Sequence, residues 1–357
     1  MADNLVGIAE IAELAGVTKQ AVTNWRMRFD DFPKPVQTLQ SGPVWNRETV
    51  EQWVKTFKGE APHVLSFINL KGGVGKTTVA VAVAEILAHE DRKHVLLVDL
   101  DPQTNASVTV ISEEQWAEMD RDGRTIAQLF ADRLNSHQAP RFDIETAIAR
   151  RVSTINDGIA RLDLLPSSIR LIDIQDRIPT IALTDNYTAN PREILRNALQ
   201  PVIDRYDYVI IDCPPSLGVV TKNGLRMSTG YVIPTKPDIV STWGLYQIVD
   251  NLDRFARDIE RPIPPLGIVA TMVQSNNTLH PRVIEDLRSK RLGRFGEAGA
   301  LPQPPLFQHS IRYAIAVAKG AEVEMDIRTL KGKYGPAYDD LRGLTREIRD
   351  ACEKKKP

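Results

Sequence analysis

The spacing of apolar residues changes character once along the chain, near residue 60. Before that point it follows helical periods. Ile8-Ala-Glu-Ile-Ala-Glu-Leu-Ala15 has one apolar helical face, and Gly16 follows as a C-cap. Thr18 then caps a second helix, Lys19 to Arg28, whose inward positions are Ala21, Val22 and Trp25. A proline-rich turn, Phe32-Pro-Lys-Pro35, and a β-wing around Ser41-Gly-Pro-Val-Trp45 lead to a closing helix from Glu48 to Phe57. Two short helices joined by a tight glycine turn predict a helix-turn-helix. Residues 1–58 are thus expected to form a small domain and 59–62 a linker.

From His63 onward, short unbroken apolar runs alternate with longer helical stretches. Such runs predict strands buried on both faces of a parallel sheet, with helices above and below. Expected strands are Val64–Asn69, Val95–Val98, a run from Leu162, Tyr208–Ile211, a run from Gly230 and Leu266–Val273. Helices are expected over Val79–His89, Ser241–Ile259, Leu279–Leu292 and Pro336–Lys354. Between residues 112 and 188 the pattern is less regular, with short helices at Thr125–Phe130 and Ile144–Ala149.

Composition narrows the classes. A length of 357 residues suits one large domain and one small one. A formal net charge of -1 excludes a globally basic nucleic-acid binder and leaves room for local basic patches. Cys213 and Cys352 lack metal spacing, which argues against a zinc site or a disulfide framework and fits a reducing compartment. No apolar run has the length of a membrane span and no secretory leader precedes the first helix, so a cytoplasmic protein is expected.

The chemistry concentrates in Lys71-Gly-Gly-Val-Gly-Lys-Thr-Thr78, between a strand and a helix. Gly72, Gly73 and Gly75 let the loop curl so that its N–H groups, those of Val74 and Thr78 included, face an anion at a positive helix N-terminus. Lys76 adds charge, and the Thr77 hydroxyl suits a Mg²⁺. The usual phosphate-loop pattern has glycine at position 70; here Leu70 stands there, and a second lysine, Lys71, follows. Taken alone, Lys71 is equally an ordinary exposed lysine. Two later strands end in acids. Asp99 and Asp101 follow one, and Asp212 ends another, where a carboxylate holds Mg²⁺ through water. Asp101 would position the attacking water, and Asp99 would bond the loop and the magnesium shell; capping of the turn is the plainer alternative for both. The predicted fold is α/β: a doubly wound, mostly parallel sheet of the P-loop NTPase type over 63–357, preceded by a small winged helix-turn-helix domain.

Lys71-Gly-Gly-Val-Gly-Lys-Thr-Thr78, Asp99-Leu-Asp-Pro-Gln103 and Ile211-Asp-Cys-Pro-Pro215, in that order, resemble the deviant Walker A, A′ and B motifs of ParA/MinD ATPases. The resemblance implies an ATP hydrolase using Mg²⁺ and an ATP-sandwich homodimer. In it Lys71 reaches the phosphates bound by the partner, Lys76 cradles the β- and γ-phosphates, Thr77 ligates the metal and Asp101 serves hydrolysis. Ile11-Ala-Glu-Leu-Ala-Gly-Val-Thr-Lys-Gln-Ala-Val22 and Val44-Trp-Asn-Arg47 resemble winged helix-turn-helix domains of the MerR and excisionase type. On the second helix Lys19, Gln20, Thr23, Asn24, Arg26 and Arg28 are the candidate DNA contacts; a dimerisation module without DNA contact is the alternative.

Ser310-Ile-Arg-Tyr-Ala-Ile-Ala-Val-Ala-Lys-Gly320 is similar to the ParA segment whose arginine aids sequence-independent DNA binding, which makes Arg312 and Lys319 candidates. The family's acidic residue and proline are replaced here by Ile315-Ala-Val-Ala. Met272 and the residues from Pro237 are candidates to surround an adenine, with plain sheet core as the alternative. The basic group Arg282, Arg288, Lys290, Arg291 and Arg294 suits either a helix C-terminus or a DNA backbone. The final helix has an apolar stripe and no aromatic, which argues for a core-facing helix over a membrane anchor. The expected function is plasmid-type DNA partitioning on the nucleoid with a ParB-like centromere-binding partner, and with binding to the chain's own operator. A nucleotide-switched repressor and a MinD-like positioning ATPase are the alternatives.

Overall fold

The computed structural model describes residues 5–29, 32–39, 42–56, 61–134, 138–177, 190–274, 276–289, 295, 297, 300–313 and 328–354. It divides into two compact units: Met1–Pro62 with Leu199–Asp207, and His63–Ala198 with Tyr208–Pro357.

The first unit runs β1 (Leu5–Val6), α1 (Ile8–Ala15), α2 (Lys19–Arg28), β2 (Gln37–Leu39), β3 (Gly42–Asn46) and α3 (Arg47–Thr56). Gly16 ends α1 at φ 67, a left-handed conformation that favours glycine. Two residues later the Thr18 hydroxyl accepts the Ala21 N–H at 3.1 Å and starts α2. The strands form a small antiparallel sheet in the order β1-β3-β2. Ile11, Val22, Trp25, Phe32, Trp45 and Trp53 close the core between helices and wing. Trp45 is fully buried and still satisfies its indole N–H, donating to the Pro33 carbonyl at 2.8 Å. The unit is completed by residues 199–207, which include a short 3₁₀ turn at Ile203–Arg205.

In chain order the second unit contains β4 (His63–Phe67), α4 (Lys76–His89), β5 (Val95–Asp99), α5 (Asn105–Val110), α6 (Glu113–Arg121), α7 (Ile126–Leu134), α8 (Ile144–Ala147), β6 (Leu162–Leu165) and α9 (Leu171–Gln175). It continues with α10 (Ile194–Leu199), β7 (Tyr208–Asp212), α11 (Val219–Met227), β8 (Gly230–Thr235), α12 (Ile239–Asp258), β9 (Pro265–Ala270), α13 (Leu279–Arg288), α14 (Leu330–Tyr334) and α15 (Tyr338–Lys354). Six strands lie in the order β6-β5-β7-β4-β8-β9, every neighbouring pair parallel. The apolar runs are buried throughout β5, β7 and β8, as expected of strands covered on both faces.

Helix α4 is buried on all sides from Val79 to Ala88, so Glu85 is carried into the core with it. Its carboxylate accepts from Lys333 Nζ at 2.7 Å, Tyr334 Oη at 2.5 Å and Ser153 Oγ at 2.6 Å. This buried, fully bonded ion pair anchors the C-terminal helices on the phosphate-loop helix. The stripe Leu341, Leu344, Ile348 and Cys352 of α15 is buried in the same core, which leaves it no free apolar face for a membrane. Among the described residues no helix is long and apolar enough to cross a membrane.

The structure shifts some expected boundaries. The last helix begins at Tyr338, after a 3₁₀ turn at Gly335–Ala337. Strand β9 stops at Ala270, and Met272 turns away at φ 53. The irregular stretch after residue 112 contains α6, capped by Ser112, which short-range apolar spacing did not reveal. Lys290, Arg291, Arg294, Lys319 and the residues 315–318 lie outside the described residues.

Candidate functional site

The loop between β4 and α4 sits at the carboxyl end of the central strand. In a doubly wound sheet this is where ligands bind. Gly73 and Gly75 take φ 67 and 78, so the curl is built where side chains are disfavoured. Thr271, just past β9, donates its hydroxyl to the Val74 carbonyl at 2.7 Å and pins the crown of the loop. Asn69 pins its start, accepting the Lys71 N–H at 3.0 Å while donating to the Pro234 carbonyl at 2.7 Å.

Lys76 is buried and donates to the Lys71 carbonyl at 3.1 Å across the loop. Burial holds its ammonium below the ordinary lysine range, with Asp212 and Asp101 pulling it back up. The three acids predicted from strand ends do converge here, because Asp99 and Asp212 are register partners on the adjacent strands β5 and β7. Their surroundings differ. Asp99 is fully engaged: one oxygen accepts the Asp101 N–H at 3.0 Å, the other Ser107 N–H at 2.9 Å and Ser107 Oγ at 2.7 Å. Burial pushes its carboxyl up to about 7 despite those bonds. Asp99 therefore builds the turn that presents Asp101. Asp101 is 7% exposed and uses one oxygen to accept the Gln103 N–H at 2.9 Å.

Asp212 is fully buried, and neither of its oxygens has a hydrogen-bond partner of good geometry. Burial and then the Asp99 charge push its carboxyl well above the carboxylate range, with Thr77 and Lys76 pulling the other way. An unpartnered buried carboxyl beside a lysine and a threonine is costly in isolation, and it fits a hydrated divalent cation. Thr77 and Asp212 are the residues that would hold one. Among the described residues no cluster of three or more His, Cys, Asp or Glu forms a metal cage. Cys213 next door is inert, its thiol pushed up to about 12 by burial.

Lys71 has a partner that short-range sequence reading missed. Its ammonium lies 3.3 Å from both Asp238 oxygens and donates to Ser241 Oγ at 2.8 Å. Asp238 is the N-cap of α12, accepting the Ser241 N–H at 2.7 Å. Burial alone would raise its carboxyl; the Ser241 and Lys71 bonds more than offset this and hold it below the usual range. An aspartate three residues before a serine at a helix start signals a cap. Its pairing with a lysine 167 residues earlier has no local signal.

The other candidates divide. Arg312 makes a bidentate ion pair with Asp340, at 2.7 and 3.2 Å, and remains 58% exposed. It lines a cavity of about 650 Å³ with Val273, Gln274, Asn276 and Tyr313, beyond the carboxyl end of β9. Met272 does not line that cavity; its Cε lies 4.0 Å from where a Cβ on Gly75 would sit, against the loop. In the first unit Lys19 and Gln20 are exposed, Thr23 is half-buried and Arg26 stacks its guanidinium 5.0 Å above the Trp45 ring. Asn24 differs from its expected place: it is fully buried and cannot face a base edge in this form. Nothing is described of the Arg28 side chain.

A curled glycine loop, a buried lysine, a threonine at the helix start and an orphaned strand-end aspartate together define a P-loop nucleotide-binding protein. Comparison with known proteins gives the family. Residues 62–263 match the AAA domain model. The chain is 31% identical over 227 residues to the sporulation initiation inhibitor protein Soj of Bacillus subtilis, covering 63% of this chain and 78% of that protein. It is 30% identical over 228 residues to the chromosome partitioning protein ParA of Myxococcus xanthus, covering 63% and 70%. The fold matches cobyrinic acid a,c-diamide synthase of Mycobacterium smegmatis, solved with ADP and magnesium, at a TM-score of 0.60 and 24% identity over 83% of this chain and 97% of that one. The chain belongs to the ParA/MinD family of P-loop ATPases.

Proposed function

We propose that this chain is a DNA-partitioning ATPase that dimerises on ATP, binds DNA without sequence preference in that state and hydrolyses ATP under a ParB-like partner. The name of its ParA relative, a chromosome partitioning protein, supports the partitioning role. The observation that carries the dimer is Lys71, an extra lysine at the mouth of the phosphate loop held by a single acidic cap. A lysine stored on Asp238 can be exchanged onto the phosphates of a facing protomer without creating a new charge.

Magnesium bound with ATP would supply charge neutralisation at the β- and γ-phosphate oxygens. The chain's own residues do the rest. The N–H groups of residues 72–78 cradle the phosphates at the start of α4, and Lys76 meets their charge from below. Thr77 and Asp212 would hold the metal, Asp212 in its ionised form, which burial disfavours until a cation is there. Asp101, fixed by the turn that Asp99 organises, orients the attacking water and receives its proton. The cavity beyond β9 is suited in size to a purine and lies past Thr271, the residue that pins the loop.

The first unit supplies a second kind of DNA contact, sequence-reading on the chain's own operator, through the exposed part of α2 and the wing. Arg312 adds a cation for the DNA backbone in the ATP dimer. We place the protein in the cytoplasm on the nucleoid.

ATP turnover of two variants tests the site. Lys76→Ala should bind no nucleotide. Asp101→Ala should keep the ATP dimer, seen as a doubled mass in solution, and lose turnover. Turnover retained by Asp101→Ala would remove the role assigned to that carboxylate.

A further inference from the structure

The second helix of the first unit is gripped by a piece of chain from far along the sequence. Asn24 is 0% exposed although it stands among polar residues. Its Nδ2 donates to the Pro201 carbonyl at 3.0 Å. Its Oδ1 accepts from Arg205 Nε at 3.1 Å and from Gln20 Nε2 at 3.2 Å. Pro201 and Arg205 belong to the 199–207 segment, which is part of the first unit and leads directly into β7. Every strong hydrogen-bonding group of the Asn24 side chain is thus directed at this turn or along the helix itself.

The polar positions of α2 fall on two flanks. Gln20 and Asn24, four residues apart, form the gripped one. Lys19 and Thr23, also four apart and joined by a 3.0 Å bond from Thr23 Oγ1 to the Lys19 carbonyl, form the free one. A helix with its side chains is about 10–12 Å across, and the DNA major groove is about 12 Å wide. A turn bonded to one flank of such a helix occupies the space in which that flank would meet the groove, so the Asn24 flank cannot lie against base edges while the turn is in place.

We propose that the 199–207 turn is an autoinhibitory clamp on the sequence-reading helix, closed through Asn24 and Arg205, and that α2 enters a major groove only when the clamp is released. The proposal rests on the reading of the first unit as a sequence-specific DNA binder. It assigns Asn24 to holding the closed form, and leaves Lys19, Gln20 and Thr23 as the groups that meet DNA in the open one.

The test uses the full chain as wild type, Arg205→Ala and Asn24→Leu. Arg205→Ala removes a clamp donor on the turn side, and Asn24→Leu keeps buried volume while breaking all three bonds. Each protein is used, in ADP, to select duplexes from a randomised library, and affinity for the selected duplex is then measured by fluorescence anisotropy. Hydrogen exchange of residues 19–28 reports the clamp without DNA. We expect faster exchange in both variants and binding of the selected duplex about tenfold tighter or more, the factor expected from loosening hydrogen bonds to a charged group. Unchanged exchange in Arg205→Ala would overturn the clamp. Faster exchange with equal or weaker duplex binding would overturn its gating role. Failure of all three proteins to select any duplex would overturn the sequence-reading function, and the proposal with it. Random-duplex binding and turnover in ATP, followed alongside, report failure of the partitioning reading separately, since neither depends on the clamp.

Discussion

Replacing Asp212 by Asn should stabilise the nucleotide-free protein, and do so increasingly as pH rises. The Asp212 carboxyl is fully buried with both oxygens unpartnered, and burial and the Asp99 charge raise its pKa. In the unfolded chain an aspartate ionises near 3.8; in the folded one this carboxyl keeps its proton to higher pH. Its contribution to stability is therefore complete below the unfolded value and drains away as pH rises towards the folded one. Each pH unit in that window corresponds to about 1.4 kcal/mol. Asparagine has nearly the same shape and no such proton. The variant should match wild type at about pH 4 and exceed it by at most roughly 4 kcal/mol at neutrality, less the lost attraction to Lys76. Urea denaturation without metal or nucleotide, followed by circular dichroism across this range, measures the gap. With Mg²⁺ and ATP at about a hundred times the dissociation constant, wild type alone should gain about 2.7 kcal/mol. A gap independent of pH, or a variant less stable than wild type at the upper end, would refute the reasoning.

The same carboxyls should make Mg-nucleotide binding release protons. Affinity should tighten as pH rises through the folded values of Asp99, about 7, and Asp212. Titration calorimetry in buffers of different ionisation heat reads this directly, and identical heats in all buffers would contradict it. Glu85→Ala should cost about 3–5 kcal/mol, because it strands the buried Lys333 ammonium; a loss under about 1 kcal/mol would mean the cluster relaxes freely. Asp238→Asn should keep the α12 cap and loosen Lys71, so that the ATP dimer forms at lower protein concentration in sedimentation experiments. An unchanged dimer constant would show that Asp238 does not compete for Lys71.

The sheet was legible in the chain because its inner strands are short runs apolar on both faces, as in Val95–Val98 and Tyr208–Ile211. The phosphate loop was legible because its chemistry is contiguous. The interactions that are not contiguous were hidden. Asp238 reads locally as a cap and only the fold brings it to Lys71. Asp99 and Asp212 look alike as strand-end acids, yet Ser107 bonds one twice, while the oxygens of the other have no hydrogen-bond partner of good geometry. Asn24 has the position and polarity of a base-reading residue, and its burial comes from a turn more than 170 residues away. Glu85 sits inside the apolar stretch of α4, and Lys333, Tyr334 and Ser153, all distant in sequence, explain why a charge is tolerated there.

In the proposed function, ATP closes two copies of this chain around shared sites and thereby switches on DNA binding. The direct measurement is molar mass in solution, taken together with binding to a random-sequence duplex, for wild type and Lys71→Ala in Mg-ATP and in Mg-ADP. Wild type should double its mass and hold the duplex in ATP only, and Lys71→Ala should do neither. A wild-type protein that stays monomeric in ATP, or holds random DNA equally in both nucleotides, would contradict the account.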